Sequence, residues 1–184
     1  MLASVAVDNY APYAEAAAHY RPKKVRVLFI QESPPYAKER HFYFAGVTEH
    51  DDFWLNLMRF LYQADFGADT TLERERKGEW LKRFQQDGYW TIDASHGSIS
   101  KGEHENRTEI IRGLAPERIK EVRAIKPEQV VLVKKSVFEG LNEAFRAAGL
   151  PVVNDVAVPY PGRGQQTRFA KIMRELVDSG KLKL

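Results

Sequence analysis

The chain contains no cysteine, which removes disulfides, thiolate zinc sites and cysteine-held iron–sulfur clusters from consideration. It has no apolar run of about 18 residues and no apolar stretch near its start, so neither a membrane-spanning helix nor a cleaved leader is expected. His19, His41, His50 and His104 show no metal spacing, and neither a His-Glu-x-x-His pair nor a deaminase-type zinc signature occurs. No charge of one sign dominates: 28 Lys and Arg stand against 25 Asp and Glu, a formal net charge of +3. That balance permits an acidic partner without demanding one. There is no internal repeat and no low-complexity linker. The expectation is a soluble, cytoplasmic monomer without metal or cofactor.

What is present suits a globular domain. A length of 184 residues, 43% hydrophobic and 11% aromatic, fits one domain spanning 1–184 around a single core. Helical spacing is expected over residues 10–20, 51–66, 71–86, 116–125, 136–148 and 165–179. Apolar runs at 25–30, 88–92, 129–133 and 152–158 read as strands. Asp51 and Asp52 suit the start of the second helix, and Gly149 the end of the fifth. Strands separated by helices imply parallel pairing through right-handed crossovers. The fold class expected is α/β, a three-layer α/β/α sandwich with a mainly parallel sheet of about four strands. The stretch 94–107, rich in Ser, Gly, His and Glu, is the longest irregular segment.

The strands end on unusual loops. The first runs into Gln31-Glu32-Ser33-Pro34-Pro35-Tyr36, the second into Asp93-Ala94-Ser95-His96-Gly97, and the last into Pro159-Tyr160-Pro161-Gly162-Arg163-Gly164. In open parallel sheets, ligands bind outside the carboxyl ends of the strands. These loops are therefore expected to share one composite site. In the last of them Gly162 and Gly164 free the backbone, Arg163 and Arg168 flank a helix start, and Lys171, Arg174, Lys181 and Lys183 follow. Helix N-termini accept anions, so this loop reads either as a phosphate site or as a plain tight turn into a helix.

The order and spacing of these loops, over residues 25–180, resemble the uracil-DNA glycosylase superfamily. The Glu32-Ser33-Pro34 core looks most like the Glu-Ala-Pro-Gly loop of the iron–sulfur branch, although this chain has no cysteine to hold a cluster. The resemblance implies water-activating chemistry at Glu32 and Ser33, with Pro34 against the base. It also implies a base-stacking aromatic at Phe44, and at Asp93, where the family carries Asn, a residue that joins both the catalytic set with Glu32 and Ser33 and the base-reading set. His96 joins that base-binding set. Tyr160, Gly162, Arg163, Gly164 and Arg168 are the implied phosphate contacts. The partner implied is nucleic acid, DNA in the first instance, or a nucleobase ligand. The reaction implied is hydrolysis of the N-glycosidic bond of a damaged or deaminated base.

Several departures bear on that chemistry. Such hydrolysis passes through an oxocarbenium-like state and needs a group to hold water and a donor for the departing base. Ser33 stands where active members carry Asp or Asn, and Val158 where they carry the donor His. Glu32 or Glu39 could supply the missing carboxylate, and Arg163 or His96 the missing donor. Asp93 reads equally as a base reader or as the cap of its own turn. Phe42 and Phe44 alternate as in a short strand, one inward and the other free to stack. A non-catalytic binding module, or an enzyme acting on a small phosphorylated compound, remains open beside the glycosylase reading.

Overall fold

A computed structural model describes residues 10–35, 40–46, 51–67, 69–99 and 106–184. Glu39, His50 and His104 lie outside the described residues. The protein is a mixed α/β fold built on a parallel sheet. In chain order the elements are α1 (Ala11–His19), β1 (Val27–Gln31), α2 (Asp52–Tyr62), α3 (Thr71–Glu75), α4 (Lys77–Gln86) and β2 (Tyr89–Asp93). They continue with α5 (Arg107–Gly113), α6 (Ala115–Ile125), β3 (Gln129–Leu132), α7 (Lys135–Ala147) and α8 (Gln166–Asp178).

The sheet order is β2-β1-β3, all parallel, with Val27 level with Tyr89 and Gln129. β1 is central, and Val27, Leu28, Phe29 and Ile30 are fully buried, as a continuous apolar run in a strand covered on both faces requires. Helix α4 packs against β2 and α7 against β3. The outer edge of β2 is closed by a side chain: the Tyr43 hydroxyl accepts from the Thr91 N–H at 2.8 Å and donates to the Thr91 carbonyl at 3.2 Å. Trp90 adds an indole hydrogen bond to the Ala17 carbonyl of α1 at 3.3 Å. An edge blocked in this way offers little backbone to a further strand.

The expected last strand does not form a ladder. Segment 152–158 runs beside β3 and touches it through two single parallel bridges, Val130 with Val152 and Val133 with Val158. Between them Asn154, fully buried, takes over the pairing: its Oδ1 accepts from Leu132 N–H at 2.9 Å and its Nδ2 donates to the Leu132 carbonyl at 3.1 Å. One side-chain amide thus satisfies both backbone groups that a neighbouring strand would have served.

Other boundaries moved for local reasons. The second helix stops at Tyr62 because Gln63 turns left-handed, φ 48°. The helix expected over 71–86 breaks at Arg76 into α3 and α4. Helix α5 was not expected, and only its Ile111 is fully buried. It lies close against α7: a Cβ at Gly140 would come within 2.9 Å of Ile111 Cγ2 and 3.1 Å of the Thr108 carbonyl. Among the described residues no helix is long and apolar enough to cross a membrane.

Candidate functional site

Because the strands are parallel, their carboxyl ends share one side of the sheet, and there a cleft of about 900 Å³ opens. Gln31, Glu32, Ser33, Pro34 and Pro35 form one wall, with Asp93 beside them at the end of β2. Val133 and Lys134 follow β3, and Tyr160, Gly162 and Arg163 close the opposite side. The hydrogen bonds from Ala94 N–H to the Gln31 carbonyl (2.7 Å) and from Ser95 N–H to the Glu32 carbonyl (2.9 Å) carry the β1–β2 pairing past the sheet edge. The Ser98 hydroxyl then ties its loop to the Pro34 carbonyl at 3.2 Å.

Glu32 is buried but heavily partnered. Arg107 of α5 and Lys134 both donate to its Oε2, and the Ser136 hydroxyl donates to its Oε1 at 2.6 Å. Burial pushes this carboxyl up, yet the hydrogen bonds from Lys134 and Ser136 and the charges of Lys134 and Arg107 outweigh it. Its pKa therefore lies below the ordinary carboxylate value. Glu32 is held as an anion with its lone pairs engaged, which makes it a poor proton acceptor. Lys134 reaches this position through an uncommon backbone: φ 83°, ψ 143°, a region that glycine favours. Its N–H is anchored to the Val158 carbonyl at 2.6 Å.

Asp93 is the cleft's second buried carboxylate. Its Oδ2 lies 3.7 Å from Nε2 of His41, itself buried and lining the same cleft. The His41 ring is fixed among Tyr13 (4.7 Å between centroids), Phe44 (5.2 Å) and Tyr43 (5.9 Å). Beneath it the buried Lys77 ammonium donates to the His41 carbonyl at 3.1 Å and to Asp51 Oδ2 at 3.3 Å. Burial pushes the Lys77 ammonium down, against the opposing pull of Asp51. Asp51 also caps α2, accepting from Trp54 N–H at 3.0 Å. The turn after β2 is closed by Ser95, whose hydroxyl donates to the Gly97 carbonyl at 2.8 Å. The capping role open to Asp93 in the sequence therefore falls to Ser95, and Asp93 faces the cleft.

The far wall is set by close approach. Tyr160 stacks on Phe53 at 6.0 Å and 21°. Burial, then the charges of Asp51 and Asp52, push its hydroxyl pKa up. A Cβ at Gly162 would sit 3.0 Å from both Asp52 Oδ2 and Tyr160 Cε1. Asn56 pins the loop by donating to the Pro161 carbonyl at 3.2 Å.

The structure brings Glu32, Ser33, Pro34, Asp93, Tyr160, Gly162 and Arg163 together on this cleft. Four expected residues lie off its lining. Phe44 is in a turn closed by its N–H to the His41 carbonyl (3.0 Å), not in a strand, and its ring stacks on Tyr13 at 5.5 Å. Phe42 is the inward member of the pair, buried in the core against Phe53 and Phe84 with only an edge at the cleft, and Phe44 is half-buried. His96 stacks on Tyr10 at 4.1 Å and pairs with Arg118 beside a smaller pocket of about 320 Å³. Burial, then the Arg118 charge, push its pKa down. Gly164 is exposed in the turn that precedes α8, and Arg168 is exposed in the first turn of that helix. Lys181 pairs with Asp155 and Lys171 with Glu175, so the basic tail is partly neutralised.

Arg107, Lys134, His41 and Asp51 were missed. Arg107 heads a helix that the pattern does not show, and Lys134 precedes one that it does, but only the pairing of β1 with β3 brings Lys134 to Glu32. No protein-family model and no curated protein matches the chain.

Proposed function

We propose that this chain is a uracil-DNA glycosylase-like protein that binds nucleic acid or a nucleobase in the strand-end cleft. The observation that carries the reading is the convergence of Glu32–Pro35, Asp93, Tyr160, Gly162 and Arg163 on one cavity, with Tyr160 as its exposed aromatic surface. The base stacks against the exposed ring of Tyr160 in place of Phe44, and Asp93 meets its edge. The reading takes 152–158 as the fourth strand of a three-layer α/β/α sandwich, supported by its two parallel bridges and the Asn154 link to β3. DNA is the polymer proposed and the cytoplasm the location.

Base excision is the enzymatic form of this proposal. In it Asp93 holds the attacking water instead of meeting the base edge, because Glu32 is already committed to Arg107, Lys134 and Ser136. Water adds to the sugar carbon, the bond to the base nitrogen breaks, and the water's proton leaves through Asp93 toward the base. A second reading, binding without turnover, is favoured by Val158, which is wholly buried and offers no donor, and by Ser33, which does not ionise. Oligonucleotides carrying uracil, hypoxanthine, xanthine or an alkylated base separate the two. Release of any base, lost in Asp93→Ala, supports the enzyme. Binding of base-containing ligands without release supports the module, and no binding at all sinks both.

A further inference from the structure

Two cations share one carboxylate oxygen on the β3 side of the cleft. Arg107, at the first turn of α5, and Lys134, between β3 and α7, both donate to Glu32 Oε2. Glu32 and Arg107 are largely buried, and Lys134 is about one-third exposed toward the cavity it lines. Two cations thus meet on one carboxylate in a half-desolvated place, where charge is felt more strongly than in bulk water. The backbone at Lys134 points the same way. A lysine held at φ 83° and ψ 143° keeps a conformation that glycine would adopt without strain. A lysine kept there puts a cation at the cleft floor.

We propose that Lys134 and Arg107 form an anion subsite for a phosphate monoester, with Glu32 as the built-in counter-ion that the ligand displaces from Oε2. Competition with Glu32 selects the monoester: to take both cations from a singly charged carboxylate, the ligand must carry more than one charge. Once Glu32 Oε2 gives way, the two cations face a dianion, which a terminal phosphate supplies near neutral pH and a backbone diester does not. Glu32 keeps its hydrogen bond from Ser136 through Oε1, so its movement is a local rotation and not an expulsion. The Lys134 N–H is bonded to the Val158 carbonyl, so this subsite adjoins the segment that leads into the Tyr160–Arg163 loop. It holds whether the phosphate belongs to a free nucleotide or to the end of a strand.

The test is calorimetric titration of the full chain with inorganic phosphate, thymidine 5′-monophosphate, and a short oligonucleotide with and without a 5′-phosphate. The wild type is expected to bind each monoester and to discriminate against the unphosphorylated strand. Glu32→Gln removes the competing charge and is expected to tighten inorganic phosphate by about tenfold or more, the worth of one charge-assisted contact. Lys134→Gly, a substitution the backbone favours, is expected to fold and to lose phosphate binding. Lys171→Ala, on the outer face of α8, is expected to leave it unchanged. Tightening with the mononucleotide alone identifies a small ligand, and tightening with the phosphorylated strand alone identifies a polynucleotide end. The subsite is wrong if Glu32→Gln weakens or leaves unchanged the binding of phosphate, or if Lys134→Gly keeps it. It is equally wrong if no monoester binds wild type or Glu32→Gln, or if the unphosphorylated strand binds as tightly as the phosphorylated one. Base binding with no phosphate binding would sink this subsite alone. Phosphate binding with no base binding would sink the nucleobase reading alone.

Discussion

At the scale of single residues, the cleft is governed by how each carboxylate is partnered. Glu32 and Asp93 end neighbouring strands, yet one is saturated by two cations and a hydroxyl while the other, among the described residues, has a single histidine at 3.7 Å. The folded protein holds the Glu32 pKa below its ordinary value, so it binds fewer protons there than the unfolded chain in the acid range. The stability this gives is present in full above the ordinary carboxylate pKa of about 4.3 and is lost as pH falls through the lower, folded value. Denaturant melts between about pH 3 and 7 are expected to show that loss in the wild type and a flatter profile in Glu32→Gln. In phosphate-free buffer Glu32→Gln is also expected to cost about 3 kcal/mol, because it strands Arg107 and Lys134 beside each other. A variant as stable and as acid-sensitive as the wild type would mean that Glu32 is solvated. The sequence marked Glu32 and Asp93 as neighbours in function from their strand ends. It could not show their different partners, since Lys134 and Arg107 reach Glu32 only through tertiary folding.

Elements were legible where periodicity was long and hidden where a side chain did the work of backbone. The runs at 25–30, 88–92 and 129–133 became β1, β2 and β3 because continuous apolar character is what buried parallel strands require. Helix α5 escaped because it is short and largely polar, its position set by packing on α7. Segment 152–158 has the apolar character of a strand, but Asn154 breaks the ladder and then mends it. Asn154→Ala would leave the Leu132 N–H and carbonyl buried without partners, at a cost of about 2–3 kcal/mol. Urea unfolding measures that cost, and faster hydrogen exchange at the Leu132 amide should accompany it. An unchanged midpoint with unchanged exchange would mean that 152–158 pairs with β3 without this link. Gly140→Ala tests the α5–α7 contact in the same way. A methyl 2.9 Å from Ile111 Cγ2 and 3.1 Å from a carbonyl is expected to cost about 1–3 kcal/mol, read as a lower thermal midpoint.

Across the whole molecule, charge is dispersed and mostly paired, and that limits what kind of nucleic-acid contact the protein can make. A net charge of +3 is small, and many surface cations are already engaged: Lys24 with Glu128, Arg76 with Glu79, Arg146 and Lys181 with Asp155. The cleft gathers Arg40, Arg107, Lys134 and Arg163, and sets Glu32, Asp51, Asp52 and Asp93 against them. A protein that tracked a long backbone would need a continuous basic stripe, which this distribution does not supply. Binding is therefore expected to be local, confined to the nucleotides that enter the cleft. Each phosphate neutralised on a single strand contributes about −0.7 to the slope of log K against log salt, so roughly three contacts give a slope near −2. Fluorescence titration of a short single-stranded oligonucleotide from low to moderate salt would measure it. Arg163→Ala should flatten the slope by about one contact's worth, about 0.7, while Arg168→Ala, off the cleft, leaves it unchanged. A slope several-fold steeper, or one flattened by Arg168→Ala and not by Arg163→Ala, would move the binding surface from the strand-end cleft to the outer face of α8.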